Sequence, residues 1–129
     1  MTLLPRPVLD HASDPQNRGS MSDPDAVGRA NLGGRPPEVT IFLKMTAARV
    51  QRAMFEAHGC AYTIACCSVL SELICGKSVA ECRALRPEAI LDELVGVPDR
   101  RRFCATLAVE ALHEALRKFD DFAPEGDHS

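Results

Sequence analysis

The chain has 129 residues, six cysteines and a formal net charge of -3 at pH 7. Its length is typical of one small domain with a single modest core. The mildly acidic charge excludes a strongly basic nucleic-acid-binding surface, and no apolar run approaches the roughly 20 residues that a membrane span requires. We therefore expect a cytoplasmic protein without nucleic-acid or membrane partners, whose cysteines are reduced thiols or metal ligands rather than disulfides.

Residues 1–25 predict an N-terminal segment with one short helix followed by a loop. Three prolines, Pro5, Pro7 and Pro15, lie among polar residues here. The helix is predicted over Pro7–His11. It must end before Pro15, because proline disfavours helical backbone at the residue that precedes it.

The next part of the chain predicts a small antiparallel sheet. Val39, Ile41 and Leu43 alternate with the residues between them, which is the period of a strand with one face in a core. Gly33–Pro37 predicts a turn outside the ladder, because its glycines permit unusual backbone angles and its prolines cannot donate hydrogen bonds. The predicted strands are Val27–Leu32, Glu38–Met45 and Arg49–Ala57, with Val50, Met54 and Phe55 as the apolar residues of the third.

The second half of the chain predicts helices. A long helix over Cys60–Cys75 is closed by Gly76, and Ser78 begins a short helix with a capping box. Another starts at Pro87, and the last starts at Phe103 or Cys104. The basic run Arg100–Arg102 is interpreted as a solvated loop, His11 and His113 as packing and hydrogen-bonding residues, and residues 120–129 as a disordered acidic tail.

Cys60 and Cys104 are the strongest candidates for chemistry, because each lies at a predicted helix start. Free backbone N–H groups and the positive end of the helix dipole lower a thiol pKa at such positions, which favours the thiolate that ligates metals or transfers sulfur. The alternative is that both are small buried apolar residues, as free cysteines often are. Cys67 is predicted to lie in the core, and Cys75 and Cys82 to be structural.

An ordered series of short motifs resembles the iron-sulfur cluster assembly scaffolds of the NifU/IscU type. The resemblance runs from about Val8 to Phe119 and implies an α+β fold, with a small three-stranded antiparallel sheet packed against C-terminal helices, over a domain of residues 26–119. The matching motifs are Asp10-His11, Pro15-x-Asn17-x-Gly19, Val27-Gly28, Thr40–Lys44, Phe55 with Gly59-Cys60, Gly76-Lys77-Ser78, and Cys104 with Glu110–Ala115.

The chain departs from the family pattern at three ligand positions. Arg35 stands at the position of the first cysteine, Pro37 at that of an aspartate, and Phe103 at that of a histidine before the last cysteine. The resemblance therefore implies Cys60 and Cys104 as the metal-binding residues. His58, Cys66 and Arg35 are candidate additional ligands or site-lining residues, and Arg35 is expected to face the two thiolates as a permanent cation.

The resemblance implies a non-enzymatic scaffold or carrier for an iron-sulfur cluster, expected to be [2Fe-2S], or for iron, with zinc as a substitute. Two thiolates per chain would leave the remaining ligands to a second subunit of a homodimer or to a partner. The implied partners are a cysteine desulfurase and apo iron-sulfur client proteins. Two alternatives stay open: a metal-free regulatory paralogue that binds the desulfurase or a client, and a persulfide relay.

Overall fold

The computed structural model describes residues 3–122, with the backbone alone for residues 118–122. A three-stranded antiparallel sheet in the order β1-β2-β3 packs against helices, so the predicted α+β architecture is confirmed. A 3₁₀ turn, Asp99–Arg101, precedes the last helix. The elements are α1 Arg6–Ser13, β1 Ala26–Leu32, β2 Arg35–Thr46, β3 Arg49–His58, α2 Ala61–Ile74, α3 Val79–Arg83, α4 Pro87–Glu93 and α5 Phe103–Phe122.

The β1–β2 hairpin is tighter than the sequence predicted. Its turn consists of Gly33 and Gly34, with φ angles of 60° and 86°, and the Gly34 N–H donates a hydrogen bond of 2.7 Å to the Asn31 side chain. Strand β2 then begins at Arg35, which pairs with Leu32, so the predicted start of this strand was too late. The ladder next pairs Asn31 with Glu38. The two prolines between Arg35 and Glu38 therefore bulge out of the ladder, as residues without a donor must.

The predicted core face of β3 was wrong in part. Val50, Ala53, Phe55 and Ala57 are buried, whereas Met54 is half-buried. The register between β2 and β3 shifts at Lys44/Met45, which shows a bulge. A bulge changes which residues face the core, so the strict alternation expected from the sequence fails on one side of it. Val39, Ile41 and Leu43 of β2 are buried as predicted.

Helix α5 lies directly against β1 at Gly28. A methyl group at Gly28 would collide with the backbone of Ala111 and Ala115. Both alanines are fully buried, as is Cys104 near the start of the same helix. This close approach of small residues fixes where α5 sits on the sheet, and with it the position of Cys104.

The N-terminal helix is anchored to α2 by polar contacts at its C-terminal side. His11 Nδ1 lies 2.8 Å from the hydroxyl of Ser68, which also accepts the Gln16 N–H at 2.8 Å. Asn17 donates to the Ser71 hydroxyl at 3.0 Å. The hydrogen-bonding role predicted for His11 is therefore present in the structure, and α1 packs onto the rest of the domain.

The helix boundaries follow the capping signals. Ser78 and Glu81 form the predicted capping box, and Gly76 has a φ of 87° just after α2. His113 Nε2 lies 3.2 Å from the Cys82 carbonyl oxygen. Helix α5 continues to Phe122, into the segment predicted to be a tail, and residues 123–129 lie outside the described residues. Between residues 3 and 122, no helix combines the length and the apolar character needed to cross a membrane.

Candidate functional site

The two helix-start cysteines come together, although they are far apart in the sequence. Cys60 is the N-cap residue of α2 and is half-buried, directly after β3. Cys104 is the second residue of α5 and is fully buried. The sheet edge and the two helix starts therefore place one accessible thiol beside one enclosed thiol.

Thr63 lies between these thiols and was missed by the sequence analysis. Its hydroxyl oxygen is 3.8 Å from Cys60 Sγ and 3.4 Å from Cys104 Sγ, and the residue is fully buried. A hydroxyl has one proton, so it can donate to one sulfur while it accepts from the other. This arrangement suits one thiolate and one thiol. The signal was present in the sequence, because positions three apart share a helix face.

The two thiols differ in acidity. Partial burial alone would raise the pKa of Cys60, whose side chain forms no capping hydrogen bond of standard geometry. The nearby N–H and hydroxyl of Thr63 and the Arg101 charge outweigh burial, so the pKa of Cys60 lies below its ordinary value. Burial raises the pKa of Cys104, and the adjacent Cys60 raises it further. The expectation of a lowered pKa at both helix starts is therefore wrong for Cys104, because desolvation exceeds the helix-start effect.

Arg101 is a cation near the thiols, and this corrects the interpretation of the whole Arg100–Arg102 run as solvated. Arg35 is exposed at the start of β2, whereas Arg101 is half-buried and its charge acts on both thiols. The Arg101 guanidinium carbon lies 6.0 Å from the centre of the Tyr62 ring. Arg100 and Arg102 are exposed, as expected of a solvated run. The middle residue of the run turns inward because it precedes Cys104 by three positions, about one helical turn.

A third thiol lies behind the pair. Cys66 is fully buried, and both Cys60 and Cys104 act on it electrostatically. Burial raises its pKa far above the ordinary value, so it stays protonated at neutral pH. Cys67, one position further, is also fully buried, as predicted. Cys66 is thus a buried, protonated thiol close enough to the pair for the charges of Cys60 and Cys104 to act on it.

The other cysteines lie apart from the pair. Cys82 is buried, and burial raises its pKa to about 11. Cys75 is exposed at the end of α2 and lies 3.4 Å from the Ser71 carbonyl oxygen. These two residues provide one buried and one exposed thiol as controls for experiments on the site.

The end of β3 packs closely against Pro37 and the start of α2. A methyl group at Gly59 would lie 2.8 Å from Pro37 Cβ and 2.7 Å from the Thr63 hydroxyl oxygen, so these three residues are tightly packed. His58 is exposed and lines a surface hollow with Arg18 and Glu56. The described contacts of the thiols involve Thr63 and Arg101 and do not include His58.

The donor set limits the chemistry of the site. Within residues 3–117, no group of three or more His, Cys, Asp or Glu side chains is placed to hold a metal ion. The two soft thiol donors can share a thiophilic metal centre with donors from another chain, or they can accept sulfur, while the guanidinium offsets negative charge. They cannot enclose a four-coordinate metal by themselves.

We expect Thr63→Val to slow the reaction of Cys60 with iodoacetamide at neutral pH by about three- to tenfold, the worth of a hydrogen bond of about 1 kcal/mol. Valine retains the buried shape but removes a hydroxyl that lowers the pKa of Cys60. The thiolate fraction at a given pH therefore falls, and the dependence of the alkylation rate on pH shifts to higher pH. Peptide-resolved mass spectrometry would measure it. Thr63→Ser should keep the wild-type profile, and an unchanged profile in Thr63→Val would contradict the role of the hydroxyl.

The fold and the thiol pair together define a small α+β domain that presents two cysteines from two helix starts. A family model described as the NifU-like N terminal domain matches residues 5–123 of the chain. The chain belongs to this family, so the resemblance inferred from its motifs is confirmed.

Two relatives illustrate the family. The chain is 32% identical over 109 residues to "Iron-sulfur cluster assembly scaffold protein IscU 1" of Archaeoglobus fulgidus, with 84% of this chain and 71% of that protein covered. It is 38% identical over 113 residues to "Nitrogen fixation protein NifU" of Cereibacter sphaeroides, with 88% of this chain and 46% of that protein covered.

Solved structures share the fold. The crystal structure of a NifU-like protein (N-terminal) from Brucella abortus matches with a TM-score of 0.76 at 24% identity, covering 92% of this chain and 94% of that chain. A putative iron-sulfur cluster assembly scaffold protein from Fervidobacterium islandicum matches with a TM-score of 0.69 at 21% identity, covering 85% and 93% of the two chains. At these identities the likeness is one of fold.

Proposed function

We propose that the protein is an iron-sulfur cluster assembly scaffold, rather than an enzyme, and that Cys60 and Cys104 bind its cargo. The main support is the arrangement of Cys60, Thr63 and Cys104. The buried Thr63 hydroxyl oxygen lies 3.8 Å from Cys60 Sγ and 3.4 Å from Cys104 Sγ. Family membership supports the same function. Thiolates are the usual protein ligands of iron-sulfur clusters, and the pair is accessible from the Cys60 side.

The ligand count gives this scaffold a particular form. A cluster commonly takes four protein ligands, and the chain offers two thiols at this site. We infer that the cargo is a [2Fe-2S] cluster shared with a second copy of the chain or with a partner such as an apo client protein. Zinc is a plausible substitute ion, because it also binds thiolates and accepts donors from two chains. A cysteine desulfurase is the expected sulfur source, and a cytoplasmic location fits a reduced thiol pair.

Anaerobic reconstitution with iron(II) and sulfide tests this proposal. We expect the wild-type chain to bind about one iron and one sulfide per chain on a dimer, as one bridged [2Fe-2S] cluster requires. Cys60→Ser and Cys104→Ala should each abolish this binding, since each removes half of one chain's ligands. Iron, sulfide and molar mass would be measured on the same sample.

Two control variants separate the site from general thiol loss. Cys75→Ser removes an exposed thiol and Cys82→Ala a buried one, and both should load like the wild type. Circular dichroism would verify that each variant is folded. A wild-type chain that takes up no iron, under conditions that load a scaffold with a complete ligand set, would refute the proposal. Equal loading by Cys60→Ser would refute the assignment of the site.

A second function, sulfur relay, is favoured by the limited donor set. A thiolate at Cys60 could attack the outer sulfur of a partner's persulfide, so that a new S–S bond forms at Cys60 and the partner's cysteine leaves as a thiolate. Such a relay needs no metal ligands beyond the pair. Incubation with a persulfide donor followed by mass spectrometry would detect one added sulfur on Cys60. If no sulfur is added to Cys60 but the chain does bind a cluster, only the scaffold function would remain.

A further inference from the structure

Arg101 has an unsatisfied donor at the edge of the thiol site. Within the described residues, its Nε is a buried side-chain nitrogen with no hydrogen-bond partner. Buried polar groups nearly always find a partner, and a guanidinium nitrogen can only donate. Nε is thus a donor without an acceptor among the described residues, and an acceptor from outside the chain would satisfy it.

The backbone holds Arg101 in this position. Its N–H donates to the Pro98 carbonyl oxygen at 2.8 Å, and the 3₁₀ turn leads directly into α5. Its guanidinium carbon lies 6.0 Å from the Tyr62 ring centre, and Tyr62 is buried two residues after Cys60. Arg101 therefore lies between the helix starts that carry the two thiols, and it forms no salt bridge with the side chains of residues 3–117.

The charge balance of the site specifies the external acceptor. When both cysteines bind the cargo as thiolates, they repel each other and any further anion, and a permanent cation close by offsets that repulsion. Arginine is suited to this task because it stays charged at any physiological pH and is weakly hydrated. Because the Arg101 charge acts on both thiols, an acceptor for this donor would lie near them, and a negatively charged ligand suits such an acceptor best.

We propose that Arg101 is an anion-recognition residue of the thiol site, and that its Nε–H donates to an anionic sulfur of the cargo held by Cys60 and Cys104. This inference rests on the proposed function, under which that sulfur is an inorganic sulfide of the cluster. Hydrogen bonds to such sulfides are a known means by which a protein tunes a cluster. Arg101 thus offsets the negative charge of the cargo, although it supplies no ligand to the metal.

A pair of alkylating reagents tests anion recognition without any cluster. Iodoacetate and iodoacetamide attack the same Cys60 thiolate, so the ratio of their rates cancels the thiolate fraction and reports how the site treats a negative charge. We expect Arg101→Gln to lower the iodoacetate-to-iodoacetamide ratio by about fivefold, since one nearby charge is removed. Arg101→Lys should lower it less, because the charge remains.

Arg102→Gln is the matched control, because it removes an exposed charge from the adjacent position. Its ratio should stay within about twofold of the wild type. An equal fall in Arg101→Gln and Arg102→Gln would show a general charge effect and overturn the proposal, as would an unchanged ratio in Arg101→Gln. If Arg101→Gln does not fold, Arg101→Lys is measured instead at low and high salt. The proposal would be overturned if the reagent ratio of Arg101→Lys equals that of the wild type and does not change with salt.

The reconstituted protein provides the second arm of the test. We expect Arg101→Gln to lose its cluster to a chelator about tenfold faster than the wild type and to show shifted visible bands, while Arg102→Gln behaves as the wild type. If the wild type loads no iron and sulfide, the proposed function fails and the reagent ratio alone decides the role of Arg101. A different outcome is that the wild type binds iron and sulfide while the Arg101 variants have the same visible bands, the same cluster half-life with chelator and the same reagent ratio. The proposed function then stands and the inference about Arg101 fails.

Discussion

Gly28→Ala is expected to destabilise the domain by about 3 kcal/mol or more, at the upper end of what overpacking costs. A Cβ at this position would overlap the Ala111 carbonyl oxygen and the Ala115 backbone nitrogen, and it would lie 2.9 Å from Ala115 Cα. These obstacles are backbone atoms of one helix, so no rotation of a side chain relieves them. Either α5 moves away from β1 or the strand distorts. Urea unfolding followed by circular dichroism would measure the loss.

Two further variants make this result specific. Arg29→Ala changes an exposed side chain in the same strand and should alter stability by no more than about 0.5 kcal/mol. Adding Ala111→Gly to Gly28→Ala should not restore stability, because the overlap is with the helix backbone and not with the Ala111 side chain. Alanine is by about 0.5–1 kcal/mol the better residue in an extended strand, so a neutral or stabilised Gly28→Ala would contradict the close contact.

This packing bears on function because α5 carries Cys104 near its first residue. Cys104 can lie next to Cys60 only if α5 has one position along the sheet, and the contact at Gly28 fixes that position. Helix α2 carries Thr63, begins directly after Cys60, and is itself packed in the core through Ala65, Leu70 and Ile74. The site therefore depends on two helices, each fixed by its own packing.

Much of the fold followed from local signals. The alternation of Val39, Ile41 and Leu43 placed β2 with one face inward, and the Ser78 capping box placed the start of α3. Such features depend on residues close in sequence, for which backbone preference and side-chain period are sufficient guides. The joint location of Cys60 and Cys104 came from the family resemblance, since no local pattern joins two residues that distant.

The errors came from features that single segments do not encode. A bulge opposite Lys44 and Met45 changed which residues of β3 face the core, and a bulge depends on how two strands pair. Arg101 was interpreted as part of a solvated run, but it is half-buried and its charge acts on both thiols, which depends on how the turn before α5 packs. The pKa of Cys104 was misjudged because burial, which outweighs the helix start, is a property of the whole fold.

Gly59→Ala is expected to disable the site while most of the fold survives. The new methyl group would lie 2.7 Å from the Thr63 hydroxyl oxygen and 2.8 Å from Pro37 Cβ. Thr63 is fully buried and cannot swing into solvent, so its hydroxyl must move relative to both sulfurs. We expect iron and sulfide binding to fall at least tenfold, while stability falls by only about 1–2 kcal/mol because the contact lies at the domain edge.

A double-mutant cycle with Thr63→Ala identifies the cause of that loss. If Gly59→Ala acts by displacing the Thr63 hydroxyl, it should add little once that hydroxyl is absent, so the two effects on cluster loading should be clearly less than additive. Gly33→Asn provides the control, since this turn glycine has a φ of 60° and open space around it, and asparagine tolerates that conformation. Full additivity, or wild-type loading in Gly59→Ala, would show that the hydroxyl between the two thiols does not hold the site together.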